Sequence, residues 1–251
     1  MTGAPWTFDE KHWSAVVKRP DWYLELVPYF RQTQEDLSGS SDSAREFRNV
    51  VRGFLEKRLL SGEVALAKEG PNLDAQRLPI DTIVIHHTSH RGRYSLDFME
   101  ATQLLNIYAP YYFNASATYD MNPRLKNDVK GQAIWSGHFK NGRQTFLCYH
   151  WLLRMDGTFE RLLEDKQLGW HAGNWDINRR SVAICLDNDY QKMDPSDDIL
   201  RKLADHINAN YGKIEKRNII GHCEARLGTI CPGGNFIGGW KETLLGYLHE
   251  S

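Results

Sequence analysis

The sequence predicts an α/β protein in which helices flank a mixed central β-sheet, with a helical extension at the N-terminus. Two observations indicate this fold class. Strand-like and helix-like segments alternate through residues 80–250, a pattern typical of a sheet covered by helices. Residues 1–75 carry helical patterns instead and end close to Gly70 and Pro71. We therefore predict a helical N-terminal extension over 1–75 and a second domain over 76–251.

The N-terminal extension contains two helix-like segments. Apolar residues recur at helical spacing over residues 22–30 and again over 47–59. Pro28 is expected to bend or end the first helix, because proline lacks the backbone N–H that a helix interior needs. Gly62 is the expected stop of the second helix. These patterns predict packing helices, and no motif in them indicates a function.

The second domain contains apolar segments typical of core strands at 80–88, 145–154 and 181–186. Two adjacent histidines, His86 and His87, lie at the end of the first segment. Because neighbouring side chains on a strand point to opposite faces, only one of the two can face a given site. The Asn141-Gly142 pair predicts a hairpin turn. An amphipathic helix is expected to end near Gly212, before a short strand at 219–220.

Composition narrows the class of partner. With 31 Lys+Arg against 32 Asp+Glu, the formal net charge of -1 gives no electrostatic reason to expect a nucleic acid or an anionic membrane as partner. No apolar run approaches the length of a spanning helix. Four scattered cysteines do not suggest a disulfide framework. A monomer is expected.

The loop over residues 221–233 has the residue types of a zinc site. It contains His222 and Cys231, and an imidazole with a thiol suits zinc better than calcium or magnesium. A catalytic zinc needs three protein ligands and an open position, so His86 is the candidate third ligand. Cys223 is a rival ligand, although its adjacency to His222 makes joint ligation awkward. Cys148 and Cys185 lie in apolar strands and are expected to be core thiols.

Taken in order, these motifs resemble the zinc-dependent N-acetylmuramoyl-L-alanine amidases, the family that includes phage lysozyme-type amidases and the peptidoglycan recognition proteins. The resemblance covers about residues 80–250 and rests on five segments. They are Ile83–Thr88, Tyr149–Trp151 followed by Asp156–Thr158, Trp170–Gly173, Ser181–Ile184 and Gly221–Gly233. The separation of His222 and Cys231, 231 - 222 = 9, is longer than is usual in the family, so this loop is expected to bulge.

The resemblance implies a role for each matching residue. His86, His222 and Cys231 match the zinc ligands, with one Zn²⁺ per chain. Tyr149 and Thr229 match catalytic positions. Four further residues are expected in a substrate-binding groove: His87, His171, Trp175 and Asn178. We also expect Glu224 to accept a hydrogen bond from a ligand imidazole.

The function implied is hydrolysis of the amide between N-acetylmuramic acid and L-alanine, in peptidoglycan or in muropeptides. One alternative is a non-hydrolytic peptidoglycan-binding (recognition) protein that uses the same groove. Another is a zinc hydrolase of the same fold acting on a different amide. The start, Met1–Trp6, lacks the regions of a secretory signal, so a cytoplasmic chain is expected. Such a chain could recycle cell-wall fragments, act as an endolysin released through a holin, or leave by a non-classical route.

Overall fold

The computed structural model describes residues 6–36, 41–89, 98–113 and 129–248. The chain forms two compact units. Unit 1 comprises Met1–Pro71 and Ser95–Phe146, and unit 2 comprises Asn72–Tyr94 and Leu147–Ser251. The predicted division at residue 75 differs from this arrangement, because residues 95–146 group with the N-terminal helices. That grouping depends on contacts between segments distant in the chain, which local patterns do not encode.

The described residues contain α-helices and β-strands with the following bounds. The α-helices are α1 Glu10–Val16, α2 Tyr23–Asp36, α3 Ser41–Leu60, α4 Met99–Gln103, α5 Ala109–Phe113, α6 Trp175–Arg180, α7 Asp197–Tyr211, α8 His222–Ala225 and α9 Lys241–Tyr247. The β-strands are β1 Thr82–His87, β2 Phe139–Lys140, β3 Arg143–Gln144, β4 Trp151–Leu153, β5 Phe159–Arg161, β6 Ser181–Leu186 and β7 Ile219–Gly221. None of these helices is long and apolar enough to cross a membrane.

Unit 1 is built on helices, as predicted for its N-terminal part. The helix α2 continues through Pro28 to Asp36, so this proline, which was expected to bend or end the helix, does not end it. Leu26 and Phe30, on either side of it, are buried, and their packing outweighs the one backbone hydrogen bond that proline removes. The predicted hairpin is confirmed, since β2 and β3 pair antiparallel on either side of Asn141 and Gly142. Part of the predicted excursion, residues 114–128, lies outside the described residues.

Unit 2 is built on a five-stranded sheet in the order β5-β4-β6-β1-β7. The strand β1 pairs parallel with both β6 and β7, β4 pairs parallel with β6, and only the edge pair β4 and β5 is antiparallel. This mixed sheet with flanking helices confirms the predicted fold class. Full burial of β1 and β6 on both faces explains their nearly continuous apolar sequences.

The two faces of this sheet have different partners. Ile83 and Ile85 of β1 pack in the main core with α7 and α9. Val84 packs on the opposite face with Ala172 and Ala225. Because side chains alternate along a strand, His86 lies on the Val84 face, which is covered by the loop before α6 and by α8. That face carries the candidate site.

The predicted strand over 145–154 is shorter than expected. Only Trp151–Leu153 pairs in the sheet as β4, so Tyr149 precedes the strand instead of ending it. The backbone of His150 still bonds the sheet, its N–H donating to the Ala183 carbonyl at 3.1 Å. Apolar composition therefore predicted the burial of this segment correctly and its strand pairing only in part. The helix α6 was not predicted, because its sequence, WDINRR, has no apolar periodicity.

Candidate metal centre

Three predicted ligands meet on the Val84 face of the sheet. The ligand atoms of His86, His222 and Cys231 all lie within 4.8 Å of one another. His86 comes from β1, His222 is the first residue of α8, and Cys231 follows the loop after α8. The two histidines meet because β7 pairs with β1 and is followed directly by α8, which begins at His222.

Backbone bonds hold the Cys231 loop in place. The Cys223 N–H donates to the Cys231 carbonyl at 2.7 Å, which ties the end of the loop to α8. The His87 N–H points at the Cys231 sulfur, with N and Sγ 3.4 Å apart. Thr229 Oγ1 accepts from the Cys231 N–H at 3.2 Å. The thiol is therefore anchored to both β1 and α8, and Thr229 lies beside it.

Both ring nitrogens of His86 have neighbours. Its Nδ1 lies 3.7 Å from the Cys231 sulfur, and its Nε2 lies 3.1 Å from Nδ1 of His171. The second nitrogen of His171, Nε2, lies 3.2 Å from Ser181 Oγ. His86, His171 and Ser181 are all at least 96 % buried, since none exposes more than 4 % of its surface. His86 therefore presents Nδ1 to the cluster and Nε2 to His171.

The ring of His222 also offers one nitrogen to the cluster. Its Nε2 is buried and has no hydrogen-bond partner among the described residues. A buried nitrogen without a partner costs free energy unless something else binds it. Nε2 is therefore the atom that His222 offers to a metal ion.

Burial keeps all three groups neutral in the metal-free protein. The pKa of His86 lies well below its usual value, first because of burial and then because of the neighbouring His222 and His171. Burial also lowers the pKa of His222 to about 4, with a further lowering by Arg226. The pKa of the Cys231 thiol is raised to about 12 by burial, and the His87 N–H opposes the rise. Neutral imidazoles are the form that binds metal ions, whereas the thiol must lose its proton to do so.

Tyr149 lies next to this cluster. Its ring centroid is 5.0 Å from that of His86, and its side chain is partly exposed. A phenol in this position can reach a molecule bound at the cluster. The predicted catalytic pair, Tyr149 and Thr229, therefore borders the three candidate ligands.

Glu224 does not contact a ligand imidazole, which corrects the prediction. Its Oε2 accepts from the Gly221 N–H at 2.8 Å, and both its carboxylate oxygens bond Lys241 Nζ, at 2.7 and 2.9 Å. The position of Glu224 in the first turn of α8 turns its side chain back to the helix start. Glu224 therefore stabilises the backbone on which His222 is mounted.

The four residues expected to bind substrate are buried, and their part in substrate binding stays a prediction. None of them exposes more than 7 % of its surface: His87, His171, Trp175 and Asn178. His87 points to the other face of the sheet, where its Nδ1 accepts from the Tyr190 N–H at 3.0 Å. Asn178 Oδ1 accepts from the N–H groups of His171 and Ala172, at 3.3 and 2.8 Å. The polar atoms of these residues support the site from inside the protein.

Sequence reasoning missed Ser181, whose hydroxyl contacts His171 Nε2 behind the candidate ligand His86. A serine at the start of a strand gives no signal of such a role in the sequence. His171 was identified as a site residue, but the direction of its side chain was not foreseen.

The fold and the site together define a mixed α/β protein with a candidate metal centre of two histidines and one cysteine. The family model of N-acetylmuramoyl-L-alanine amidases matches residues 76–234, which is more than half of the chain. The chain belongs to this family, as the motifs had indicated. Among curated proteins, no significant match to the chain was found.

Several solved structures are similar to the chain at low sequence identity. N-acetylmuramoyl-L-alanine amidase LysC from Clostridium intestinale is 19% identical with a TM-score of 0.43, covering 73% of this chain and 95% of LysC. An AmpD derivative is 18% identical with a TM-score of 0.42, covering 72% of this chain and 93% of AmpD. Drosophila PGRP-LB is 20% identical with a TM-score of 0.38, covering 68% of this chain and 82% of PGRP-LB. These scores are low, so membership of the family rests on the family match.

Proposed function

We propose that this protein is a zinc-dependent amidase that cleaves the bond between N-acetylmuramic acid and L-alanine in peptidoglycan or its fragments. The observation that carries the proposal is the complete cluster of His86, His222 and Cys231 in a member of the amidase family. His86 is buried and His222 is partly buried, and each offers one nitrogen to the cluster. A protein that only recognised peptidoglycan would have no chemical use for all three groups.

The donor set fits zinc. Zinc binds imidazole nitrogen at about 2.0 Å and thiolate sulfur at about 2.3 Å in a tetrahedral arrangement, so two such ligand atoms lie about 3.6 Å apart. The observed separation of His86 Nδ1 and Cys231 Sγ is 3.7 Å. The orphaned Nε2 of His222 supplies the third donor. With three protein ligands, the fourth position of a tetrahedral ion stays open for water or substrate.

A zinc ion held by His86, His222 and Cys231 would polarise the carbonyl of the scissile amide and lower the pKa of a water molecule. The side chains beside the cluster act on the same carbonyl. Tyr149 donates a hydrogen bond from its phenol to the carbonyl oxygen as negative charge develops on that oxygen. Thr229 Oγ1 accepts from the Cys231 N–H, which leaves its hydroxyl hydrogen to donate toward the reacting groups. Both residues thereby stabilise charge that is absent from the ground state.

Zinc content and muropeptide digestion, measured on the full chain, test this proposal. The wild type should contain one zinc ion per chain and should separate glycan strands from intact stem peptides, as seen by mass spectrometry. Cys231→Ala should lose both properties. Cys223→Ala is the matched control, since this neighbouring cysteine contacts Cys231 only through its backbone N–H, and it should keep both.

Three results would overturn the proposal. Cys231→Ala could retain zinc and activity, which would refute the ligand set. The wild type could cut glycosidic bonds or peptide cross-links, which would refute the substrate bond. Finally, zinc-loaded wild type could bind muropeptides without cleaving them, which would assign the protein to recognition instead of hydrolysis.

A further inference from the structure

We propose that His171, in the segment Trp170–Gly173, is a positioning residue that fixes the ligand His86 in the tautomer that metal binding requires. The inference rests on the proposed metal centre and concerns side chains behind it. The ring of His171 contacts the ring of His86.

The tautomer of His86 follows from a chain of hydrogen bonds that starts at Ser181. The Ser181 hydroxyl lies 2.6 Å from the Ile177 carbonyl oxygen. A carbonyl can only accept, so the single hydroxyl hydrogen of Ser181 is donated to it. The Ser181 oxygen is then an acceptor toward His171 Nε2, 3.2 Å away. His171 therefore carries its hydrogen on Nε2.

The same reasoning continues from His171 to His86. A neutral imidazole that donates from Nε2 has a lone pair on Nδ1. This Nδ1 lies 3.1 Å from His86 Nε2, so His86 must carry its hydrogen on Nε2. The lone pair of His86 is consequently on Nδ1, which is the atom that lies 3.7 Å from the Cys231 sulfur. The hydrogen bonds thus direct the free lone pair of His86 into the cluster.

The segment is itself held rigidly. Asn178, which is fully buried, accepts from two consecutive N–H groups of the segment. The backbone at Gly169 passes so close to Cys148 that a Cβ would come within 2.3 Å of the Cys148 carbonyl oxygen. At Gly173, φ is +62° and a Cβ would come within 2.5 Å of Arg226 Cδ. The two hydrogen bonds to Asn178 hold the backbone of the segment in place, and the geometry at Gly169 and Gly173 favours glycine.

Metal-ligating histidines usually donate their second N–H to a carboxylate, a backbone carbonyl or water, and loss of such a partner typically costs about 10-fold to 100-fold in metal affinity. Here a neutral imidazole accepts the bond from His86. It fixes the ring and the tautomer without placing a negative charge beside the site. The effect of His171 should therefore come from hydrogen-bond direction, which a side chain with an acceptor at the same place can imitate.

A pair of substitutions separates this role from simple packing. His171→Asn places an amide oxygen near the former Nδ1 position. His171→Leu introduces a side chain of nearly the same shape as asparagine but without a hydrogen-bond acceptor. We expect His171→Leu to weaken zinc binding about 10-fold to 100-fold in chelator competition, and His171→Asn to recover most of the loss. His206→Phe, which changes a histidine of α7, is the control and should leave zinc affinity unchanged. Equal affinities for the Leu and Asn variants would overturn the proposal.

Nitrogen-15 NMR of the zinc-free, histidine-labelled protein provides a readout that does not depend on metal or activity. In the wild type, His86 and His171 should both carry hydrogen on Nε2. His86 should become a mixture of tautomers in His171→Leu. A wild-type His86 protonated on Nδ1 would refute the inference. If the wild type shows the expected tautomers but binds no zinc, the proposed function fails while the tautomer assignment stands.

Discussion

The Nε2 atom of His86 and the Nδ1 atom of His171 lie 3.1 Å apart in the interior of unit 2. Two buried histidines in direct contact must share one hydrogen, so the orientation of one ring determines that of the other. The other ring nitrogen of His86, Nδ1, faces the cluster with Cys231 and His222. The candidate metal centre therefore depends on His171, a buried residue behind it. Four predictions follow from this arrangement and from the framework around it.

Asn178→Ala should destabilise the protein and weaken zinc binding together. Its Oδ1 accepts from the N–H groups of His171 and Ala172, and the substitution leaves both donors buried without a partner. Such a loss costs about 1–3 kcal/mol in the free energy of unfolding. Urea unfolding of the zinc-free protein measures it. The exposed Asn210 serves as control, and an equal effect of Asn210→Ala would contradict the prediction.

Tyr149→Phe should reduce the rate of amide cleavage while zinc content stays at one ion per chain. The ring keeps its contact with His86, and only the phenol that stabilises the developing charge is removed. The expected decrease in kcat is about 10²-fold to 10³-fold, the usual cost of losing one donor to an oxyanion. Single-turnover digestion of muropeptides measures the rate. Full activity in the variant would remove Tyr149 from the proposed mechanism.

Asp187→Ala should be strongly destabilising, because it breaks a buried ion pair. The Asp187 side chain is fully buried, and its carboxylate lies 2.8 Å from Arg154 Nη1. The substitution removes one of two carboxylate partners of the buried Arg154, since Glu160 still contacts its Nε, and loss of this charged hydrogen bond should cost about 1.5–3 kcal/mol. Glu215→Ala breaks the exposed pair with Arg217 and should cost less than about 1 kcal/mol. Similar losses in the two variants, measured by urea unfolding, would disprove the argument.

His206→Phe should reduce the loss of stability at acidic pH. The His206 ring stacks on Phe159 with centroids 3.9 Å apart, and burial lowers its pKa to about 4. In the unfolded chain the pKa of His206 is about 6.5. As pH falls from about 6.5 to about 4, the unfolded state therefore binds a proton that the folded state does not bind. The stability of the wild type therefore declines in this window.

The phenylalanine variant keeps the stacking contact and has no titrating ring at this position. Its free energy of unfolding, relative to that of the wild type, should increase as pH falls through the same window. Urea unfolding at about pH 7 and at about pH 4.5, close to the two ends of the window between the unfolded-state and folded-state pKa values, measures this difference in the free energy of unfolding. A difference that is independent of pH would show that His206 does not titrate as its surroundings indicate.

Local geometry explains what could be predicted about the site. Alternation along β1 determines that His86 and His87 face opposite sides of the sheet, and their contacts with Cys231 and Tyr190 agree. The parallel register of β1 with β7 brings His222 to His86. These relationships depend on periodicity and on the order of strands, which can be read from the chain.

Long-range contacts explain what could not be predicted. His171 bonds a residue 85 positions away, and the burial of Asn178 depends on the segment that folds over it. A loop histidine between Trp170 and Ala172 can face solvent or the interior, and the residues around it in the sequence do not distinguish the two. The grouping of residues 95–146 with the N-terminal helices escaped prediction for the same reason.

The sequence by itself determined the α/β class, the amidase family and the three residues proposed to bind zinc. These properties reside in short motifs, in which the type and spacing of residues carry the chemistry. Only the tertiary structure decided which nitrogen of each histidine is free, because a tautomer is determined by hydrogen-bond partners from distant parts of the chain. The same structure moved His87, His171, Trp175 and Asn178 from a predicted groove to the interior, where packing and hydrogen bonding decide their role.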